Sequence, residues 1–357
     1  MDDRLYLDIR YGGILLEKTY DKLPGLILAV VIAIVSHYLG GQLPLVGGPV
    51  FALILGIVAN LFIKSNEKFQ AGLDFTSKKL LKFAIILLGF RLSIGQILEV
   101  GKISLTVMVF TLTASFGFGA LFGRLFHMDW KLSTLISAGT GICGGSAIAA
   151  LSPVIEAKDS DVTYAISATF IFDILMIILF PIMGTKLGLS DLAYGLWTGT
   201  AVNDTSSVVA AGYAFSDKAG EFATIVKLTR TLSIIPTVVL FSYINQKKKI
   251  KSKKPSFKSN LNTNKEKISI KAIFPFFIVF FIIAAIVNST GLVPDKLGIV
   301  LNNFSKFLMI MALGAIGLKT DLREVKNSGP APMLHGFIIS AIVVVVSLGV
   351  QIVLGQV

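Results

Sequence analysis

Gly139-Thr140-Gly141-Ile142-Cys143-Gly144-Gly145-Ser146 interrupts an apolar run that extends from Leu132 to Ile155. The run is long enough to cross a bilayer, which takes roughly 20 residues. Four glycines within seven residues do not sustain a continuous helix. In hydrocarbon, a broken backbone is tolerated only where protein or a wet cavity surrounds it, and such breaks mark binding sites in transporters. The sequence therefore predicts a discontinuous transmembrane helix over 131–155.

A related stretch follows further along the chain, Gly199-Thr200-Ala201-Val202-Asn203-Asp204-Thr205-Ser206-Ser207. Aligned without gaps, Gly139, Thr140 and Ser146 match Gly199, Thr200 and Ser206, and the likeness continues weakly to Thr169 with Thr229 and Ile174 with Ile234. Two related, breakable segments predict one site built from two halves. The alternative is a pair of small-residue faces for helix packing.

The composition is that of an all-α polytopic membrane protein: 54% of the residues are hydrophobic and the mean hydropathy is +0.78. The single cysteine, Cys143, excludes a disulfide framework and a cysteine-based zinc site, and the histidines are too scattered for a metal motif. The glycine-rich stretch has no Gly-Lys-Ser/Thr and is not a P-loop. We therefore expect no metal and no cofactor.

Eleven apolar segments are each near the length of a bilayer crossing, with the broken segments as the fifth and seventh. They are 24–40, 43–63, 80–98, 104–126, 131–155, 162–183, 190–213, 219–243, 272–290, 297–318 and 330–356. The predicted organisation is a cytoplasmic N-terminus (1–23), segments one to eight (24–243), a basic loop (244–271) and segments nine to eleven (272–357).

Positive charge predicts the orientation. The net charge is +12, and much of the excess lies in the lysine-rich 244–271 loop, which is a local feature and no argument for nucleic-acid binding. Placing that loop in the cytoplasm puts the N-terminus inside and the C-terminus outside, with Lys158 outside and Lys186 inside. The loop either fixes topology or contacts anionic lipid.

Residues 88–100 align with 313–325 and run in the opposite direction, which is typical of inverted repeats. In this orientation, the segments that contain Gly139 and Gly199 run in the same direction across the membrane. Either 190–213 is a re-entrant hairpin, or the likeness of the two breaks is convergent.

Ionisable residues at mid-membrane depth are costly and usually functional. Asp173 lies in segment six, Asp204 at the second break, and Lys227 and Arg230 on one face of segment eight. For each of them, a structural ion pair is the alternative. Arg91 in segment three has a further alternative, snorkelling to the interface.

The two breaks differ in chemistry. A helix that starts at Gly144-Gly145-Ser146 offers free N–H groups to an anion. Oxygens at the second break suit a proton or sodium. The predicted substrate-binding residues are Gly139, Thr140, Gly141, Cys143, Gly144, Gly145, Ser146, Lys227 and Arg230. The predicted ion-coupling residues are Asp173, Asn203, Asp204, Thr205, Ser206 and Ser207. Arg91 and Lys319 are given structural or secondary roles, and Cys143 is either a buried filler or a reactive thiol.

At these residues the chain resembles the YeiH-type family of bacterial inner-membrane proteins, commonly labelled as sulfate exporters. The most specific pieces are residues 87–93, 139–147, 199–207 with Lys227 to Arg230, and 313–322. The order of segments three to six also resembles the bile-acid/sodium symporter group. That resemblance implies the cation–proton antiporter fold, with a core of unwound helices, a scaffold domain and a homodimer. The chain lacks the dense polar sodium ligands that bile-acid carriers place on both broken helices.

These observations favour a non-enzymatic secondary transporter of a small anion in the bacterial inner membrane, working by alternating access. The anion would be a sulfur oxyanion, a sulfonate or a carboxylate, and the coupling ion a proton or sodium. Three alternatives remain: a sodium/proton antiporter using Asp173 and Asp204, the membrane subunit of an ion-pumping decarboxylase complex, and a receptor or scaffold.

Overall fold

A computed structural model describes residues 21–42, 47–63, 67–252, 275–320 and 329–357. All the secondary structure in these ranges is helical, which confirms the predicted all-α class. The helices are α1 (Leu23–Gln42), α2 (Gly47–Ile63), α3 (Glu67–Phe75), α4 (Leu81–Leu88), α5 (Ile94–Leu125), α6 (Trp130–Ala138), α7 (Gly145–Ile155), α8 (Asp159–Lys186), α9 (Asp191–Ala201), α10 (Thr205–Phe215), α11 (Asp217–Thr231), α12 (Ile234–Ser252), α13 (Phe276–Ser289), α14 (Asp295–Lys319) and α15 (Pro330–Val353).

Six helical stretches in the described ranges are long and apolar enough to cross a membrane. They are Leu23–Gln42, Ile94–Leu125, Asp159–Lys186, Asp217–Lys249, Lys296–Lys319 and Pro330–Val353. Shorter apolar helices lie at Gly47–Ile63, Gly145–Ile155 and Phe276–Ser289. The chain is therefore membrane-embedded, but the predicted count of eleven crossings is not confirmed.

The boundary between the third and fourth predicted segments is wrong. Helical structure runs from α3 through a π-turn (Thr76–Leu80) and α4 to a 3-10 turn at Gly89–Arg91, and the chain then turns. Ser93 caps α5, because its hydroxyl accepts the backbone N–H of Gln96 while the Gln96 side chain accepts that of Ser93. The fourth segment therefore starts at Ile94 rather than near 104.

The segment 131–155 turns back on itself instead of crossing. Nζ of Lys131, at the start of α6, donates to the carbonyl of Glu156, just after α7, over 2.6 Å. A continuous helix would separate these residues by about 37 Å. A π-turn at Gly139–Cys143 and the bend at Gly144 join the two arms. We call α6, this turn and α7 the first hairpin (130–155).

The segment 190–213 is also a hairpin, as the first of the two alternatives above predicted. The rings of Tyr194 on α9 and Phe215 on α10 stack with centroids 3.9 Å apart. Tyr194 Oη donates to the carbonyl of Ala211 over 3.0 Å. Ser216 Oγ donates to Asp191 Oδ1 over 2.5 Å, so the two ends of the segment meet. We call α9, the linker 202–204 and α10 the second hairpin (191–215).

The two hairpins enter the molecule from opposite ends. Asp217, the first residue of α11, follows directly on the open end of the second hairpin. In the second half of α12, Asn245 Nδ2 donates to the carbonyl of Val154 over 3.1 Å, at the open end of the first hairpin. The tips of both hairpins therefore meet alongside α11.

This arrangement corrects the predicted sides of two loops. Because the first hairpin returns to the end it left, Lys158 lies at the same end as Lys131. Because the second hairpin also returns, Lys186 lies at the same end as Asp217. Relative to the lysine-rich end of α12, where Lys249 pairs with Glu156, the positions of Lys158 and Lys186 are the reverse of the prediction. The charge rule failed here since it assumed that every apolar segment crosses.

The α12 helix continues through Ser252, into the predicted basic loop. The remainder of that loop, most of the N-terminal segment and the end of the 313–325 repeat lie outside the described residues. The helices α2 and α14, which both contact α10, pack closely against each other through glycines: a Cβ on Gly56 would lie 2.4 Å from the carbonyl oxygen of Gly314.

Candidate functional site

The tips of the two hairpins are joined by a buried lysine on α11. Lys227 is fully buried, and its Nζ donates to the carbonyls of Ile142, over 2.8 Å, and Val202, over 3.0 Å. These carbonyls lie where the first arm of each hairpin ends, so they have no partner within their own helix. A single ammonium group therefore satisfies the ends of both arms and offsets the negative ends of their dipoles.

Arg230, one turn further along α11, also donates to backbone carbonyls of both hairpins, and it does so with more N–H groups. Its Nε donates to the carbonyl of Gly141 over 2.5 Å, and its two terminal nitrogens donate to the carbonyls of Thr140 and Thr200. The guanidinium presents its donors in a rigid planar fork, which suits this convergent set of acceptors. In this conformation, Lys227 and Arg230, which the sequence analysis assigned to substrate binding, both donate to backbone carbonyls instead.

Asp173 holds the second hairpin from α8. Its Oδ1 accepts the backbone N–H of Asn203 over 2.8 Å, and its Oδ2 accepts that of Asp204 over 3.0 Å. The carboxylate is buried. Since both oxygens accept N–H groups at the linker before α10, this side chain fixes the tip of the hairpin.

Asp204 caps α10 and faces the first hairpin. Its Oδ2 accepts the backbone N–H of Ser206 over 2.9 Å and also the Ser206 hydroxyl. A Cβ on Gly144 would lie 3.0 Å from both Cβ and Oδ1 of Asp204. The second carboxylate oxygen of Asp204 is therefore directed at the bend of the first hairpin, immediately before α7.

The start of α7 is open. Its N-terminus has no side-chain cap, Gly145 is half-buried and Ser146 is exposed. A Cβ on Gly145 would meet no heavy atom within 4 Å. The first N–H groups of a helix have no intrahelical acceptor and carry the positive end of the dipole. This arrangement can accept a small anion.

The sequence analysis missed the contribution of α15. Ser340 Oγ lies 3.4 Å from Thr140 Oγ1, and Ser347 Oγ lies 2.5 Å from Thr200 Oγ1. Each hairpin tip thus meets one hydroxyl of α15. Ser340, Ser347 and Gln351 recur at helical spacing within an apolar run, and this polar face is the signal that was available.

The other predicted residues lie around the tips or away from them. A Cβ on Gly139 would lie 2.8 Å from both Ile148 and Thr169, so this glycine serves close packing. Cys143 is 1% exposed in the π-turn, which favours the filler interpretation. The remaining second-break residues follow the linker: Thr205 is half-buried, and Ser206 and Ser207 are buried.

Arg91 and Lys319 are both outside the site. Arg91 is exposed at the end of the 3-10 turn before α5, consistent with the snorkelling alternative. Lys319, at the end of α14, pairs with Asp74, and Lys78 lies 3.6 Å from the same carboxylate. These contacts tie α3 to α14 and give Lys319 a structural role.

Comparisons with known proteins identify the family. The family model described as "Conserved hypothetical protein 698" matches residues 24–336. A Clostridium tetani "UPF0324 membrane protein" is 58% identical over 336 residues, covering 93% of this chain and 97% of its own. A Streptococcus pneumoniae protein of the same description is 43% identical over 344 residues, covering 93% and 97%. The Fusobacterium nucleatum "UPF0324 membrane protein FN0533" is 40% identical over 355 residues, covering 94% and 99%.

These matches extend over nearly the whole chain, including both hairpins, α11 and the start of α15. They confirm the resemblance to the YeiH-type family that the sequence motifs indicated. The chain belongs to the family described as conserved hypothetical protein 698, the UPF0324 membrane proteins.

Proposed function

We propose that this protein is a secondary active transporter of a small anion, namely a sulfur oxyanion, a sulfonate or a carboxylate. The observation that carries the proposal is the open start of α7 at Gly145 and Ser146, where two hairpins from opposite ends meet. Free N–H groups and a positive helix end recognise negative charge without a dedicated side chain. Lys227 and Arg230 add a fixed positive field beneath the tips.

The proposed topology has nine crossings and two re-entrant hairpins. Each hairpin is followed by a long crossing helix, α8 after the first and α11–α12 after the second, and the two units point in opposite directions. Their sequences match at an offset that pairs Gly139 with Gly199. We therefore interpret them as adjacent inverted repeats, an arrangement that supports alternating access around a site at the tips.

The proposed orientation keeps the N-terminus in the cytoplasm and the C-terminus outside the bacterial inner membrane. Replacing two crossings by two hairpins leaves the number of crossings odd, so the termini remain on opposite sides. The lysine-rich end of α12 stays cytoplasmic under the positive-inside rule.

Asp204 supplies the coupling in this account. Its Oδ1 faces the bend before α7, so an anion arriving at Gly145 meets a carboxylate close by. Two negative charges this close together repel each other. A proton on Asp204, or a cation beside it, removes the repulsion. Anion binding would therefore draw in positive charge, which is the requirement for coupled transport.

The test is thermal unfolding of the purified protein with sulfate, sulfite, thiosulfate, sulfonates and dicarboxylates. A ligand that binds only the native state raises Tm by mass action. We expect one anion class to raise Tm selectively, and Gly145→Val to abolish that rise, since its Cβ enters the open space at the start of α7. Gly117→Val, at an exposed helical glycine whose Cβ would also enter open space, is the control. No selective anion, or equal effects of both variants, would overturn the proposal.

A further inference from the structure

The open end of the second hairpin packs against two helices that belong to neither hairpin. A Cβ on Gly47, at the start of α2, would lie 3.1 Å from Cα of Ala214, near the end of α10. The helix α14 contacts both α10 and α2. We call α2 and α14 the scaffold, and the two hairpins with α8 and α11 the core. In alternating access one part of a transporter moves against another, so contacts between core and scaffold have to change.

Along α10, the contact between core and scaffold is apolar. Val209, Ala210 and Ala214 on α10 belong to the same buried cluster as Val50 and Leu53 on α2. The hydrophobic effect is non-directional and depends on the area removed from water. An interface of this kind keeps the two parts together, but it does not by itself fix one position of the core against the scaffold.

Charged side chains from both parts meet at the end of this interface. Lys306 on α14 places its Nζ 2.7 Å from Oδ1 of Asp217, the first residue of α11. The same ammonium lies 5.6 Å from the centroid of the Tyr213 ring on α10, within the range of a cation–π contact. Glu221, one turn further along α11, lies within electrostatic reach of Lys306 and Arg91. One lysine of the scaffold therefore contacts both α10 and α11.

The ion pair has the character of a contact that opens and closes. The side chain of Lys306 is 24% exposed, whereas that of Asp217 is 69% exposed. Because water screens an exposed carboxylate, such a pair contributes little to stability. A contact that breaks in every transport cycle has to be weak, and this one is directional enough to fix the position of α11 against α14.

The hydroxyl of Tyr213 opposes the closed arrangement. Its Oη is buried and has no hydrogen-bond partner. A buried polar atom without a partner is destabilising, and it regains a partner when water reaches it. Since the ring packs against Lys306, separating the scaffold from the core at this end would expose the ring to water. The closed arrangement is thus favoured by one contact and disfavoured by another, as expected of an element with two populated states.

We infer that Lys306 and Asp217 form a latch that holds the core against the scaffold at the open end of the second hairpin. In the proposed orientation this is the outer end. The latch therefore closes the outer path in this conformation, and it separates when the site opens outward. The inference rests on the proposed function only for alternating access, and both residues of the latch lie outside the anion site.

The test measures how fast a cysteine at position 214 reacts with a membrane-impermeant maleimide added to intact cells. Ala214→Cys, in a Cys143→Ala background, places a small thiol at a position that is 5% exposed. We expect slow labelling with the latch intact, and labelling at least tenfold faster after Lys306→Gln or Asp217→Asn. Exchanging the charges, by Lys306→Asp together with Asp217→Lys, should restore slow labelling.

The matched control is Lys296→Gln, at an exposed lysine at the start of the same helix α14. It should leave the labelling rate unchanged. Fast labelling with the latch intact would overturn the inference, because the outer end would then be open. Equal rates with and without the latch charges, or equal acceleration by the control, would also overturn it. Asp217 is exposed, so Asp217→Asn provides the test even if Lys306→Gln lowers Tm.

The labelling needs no substrate, so this inference and the proposed function fail separately. Faster labelling of the latch variants with no Tm response to any anion supports the latch and overturns the anion transporter. A selective anion response with labelling that ignores the latch charges supports the transporter and overturns the latch. If both hold, the anion itself should change the labelling rate at position 214, because a ligand that prefers one state shifts the population towards it.

Discussion

Gly144 and Asp204 face each other across the tips of the two hairpins, and a Cβ on Gly144 would lie 3.0 Å from Oδ1 of Asp204. Gly144 has φ +64° and ψ −135°, a conformation that residues with a side chain rarely adopt. The glycine thus lets a carboxylate from one hairpin approach the backbone of the other. This contact places the proposed anion site and the proposed coupling residue next to each other.

Gly144→Ala should destabilise the protein, while the adjacent Gly145→Ala should not. The first adds a methyl group at a positive φ and against Asp204, and the second adds one in open space at a helical position. Backbone strain of this kind costs of order 1–3 kcal/mol. Thermal unfolding of the two variants measures the difference. Equal stability of the two would mean that the tips do not meet as described.

Asp204→Asn should increase anion affinity and uncouple transport. Removing the charge removes the repulsion between this side chain and an anion at the start of α7, while the amide oxygen still caps α10. We expect the anion-induced rise in Tm to grow, with concentrative uptake into proteoliposomes lost. Uptake at the wild-type level would refute the coupling role.

Arg230→Ala should lower the stability of the protein, and any loss of anion binding should follow from that destabilisation. The substitution leaves the carbonyls of Thr140, Gly141 and Thr200 without their shared donor. Each hydrogen bond to a charged group contributes about 1.5–3 kcal/mol. Arg230→Lys keeps the charge but loses the fork, so it should recover only part of the loss.

The matched control for this pair is Arg124→Ala, at an exposed position in the last turn of α5. Its Tm should stay within a few degrees of wild type. If Arg230→Ala keeps the wild-type Tm but no longer responds to the anion, the prediction of a direct contact between Arg230 and the substrate is favoured instead.

Asp173→Asn should loosen the second hairpin. An amide has one acceptor oxygen where the carboxylate has two, so one of the N–H groups of Asn203 and Asp204 loses its partner. An unsatisfied buried N–H costs about 1–3 kcal/mol, which thermal unfolding will detect. Asp159→Asn, at an exposed position at the start of the same helix, should cause no comparable loss. A stable Asp173→Asn variant that has lost only transport would indicate an ion-coupling role instead.

Local features were readable from the sequence. The clustered glycines at 139–145 and the polar run at 203–207 indicate breaks in the helices, because neither composition sustains a helix within an apolar run. Their likeness indicated that they act together. The buried charges at Asp173, Lys227 and Arg230 also stood out, since charge in an apolar segment is costly.

The path of the chain through the two broken segments could not be predicted from the sequence. A segment of about 25 apolar residues with a central break has the same composition whether its second half continues onward or turns back. Tertiary contacts decide between these two paths: Tyr194 stacks on Phe215, and Lys227 donates to carbonyls at both hairpin tips. Ser340 was missed for a different reason, because its hydroxyl carries no charge and only the polar face that it shares with Ser347 and Gln351 marks it.

The most direct test of the two-hairpin account is the sidedness of single cysteines at positions 158 and 186. In a Cys143→Ala background, Lys158→Cys and Lys186→Cys lie at exposed positions at the two ends of α8, with Lys218→Cys as the outer control and Lys247→Cys as the inner control. Labelling intact cells with a membrane-impermeant maleimide should modify positions 186 and 218 and spare 158 and 247. Modification of position 158 with protection of 186 would contradict the account, because it would show that both broken segments cross the membrane.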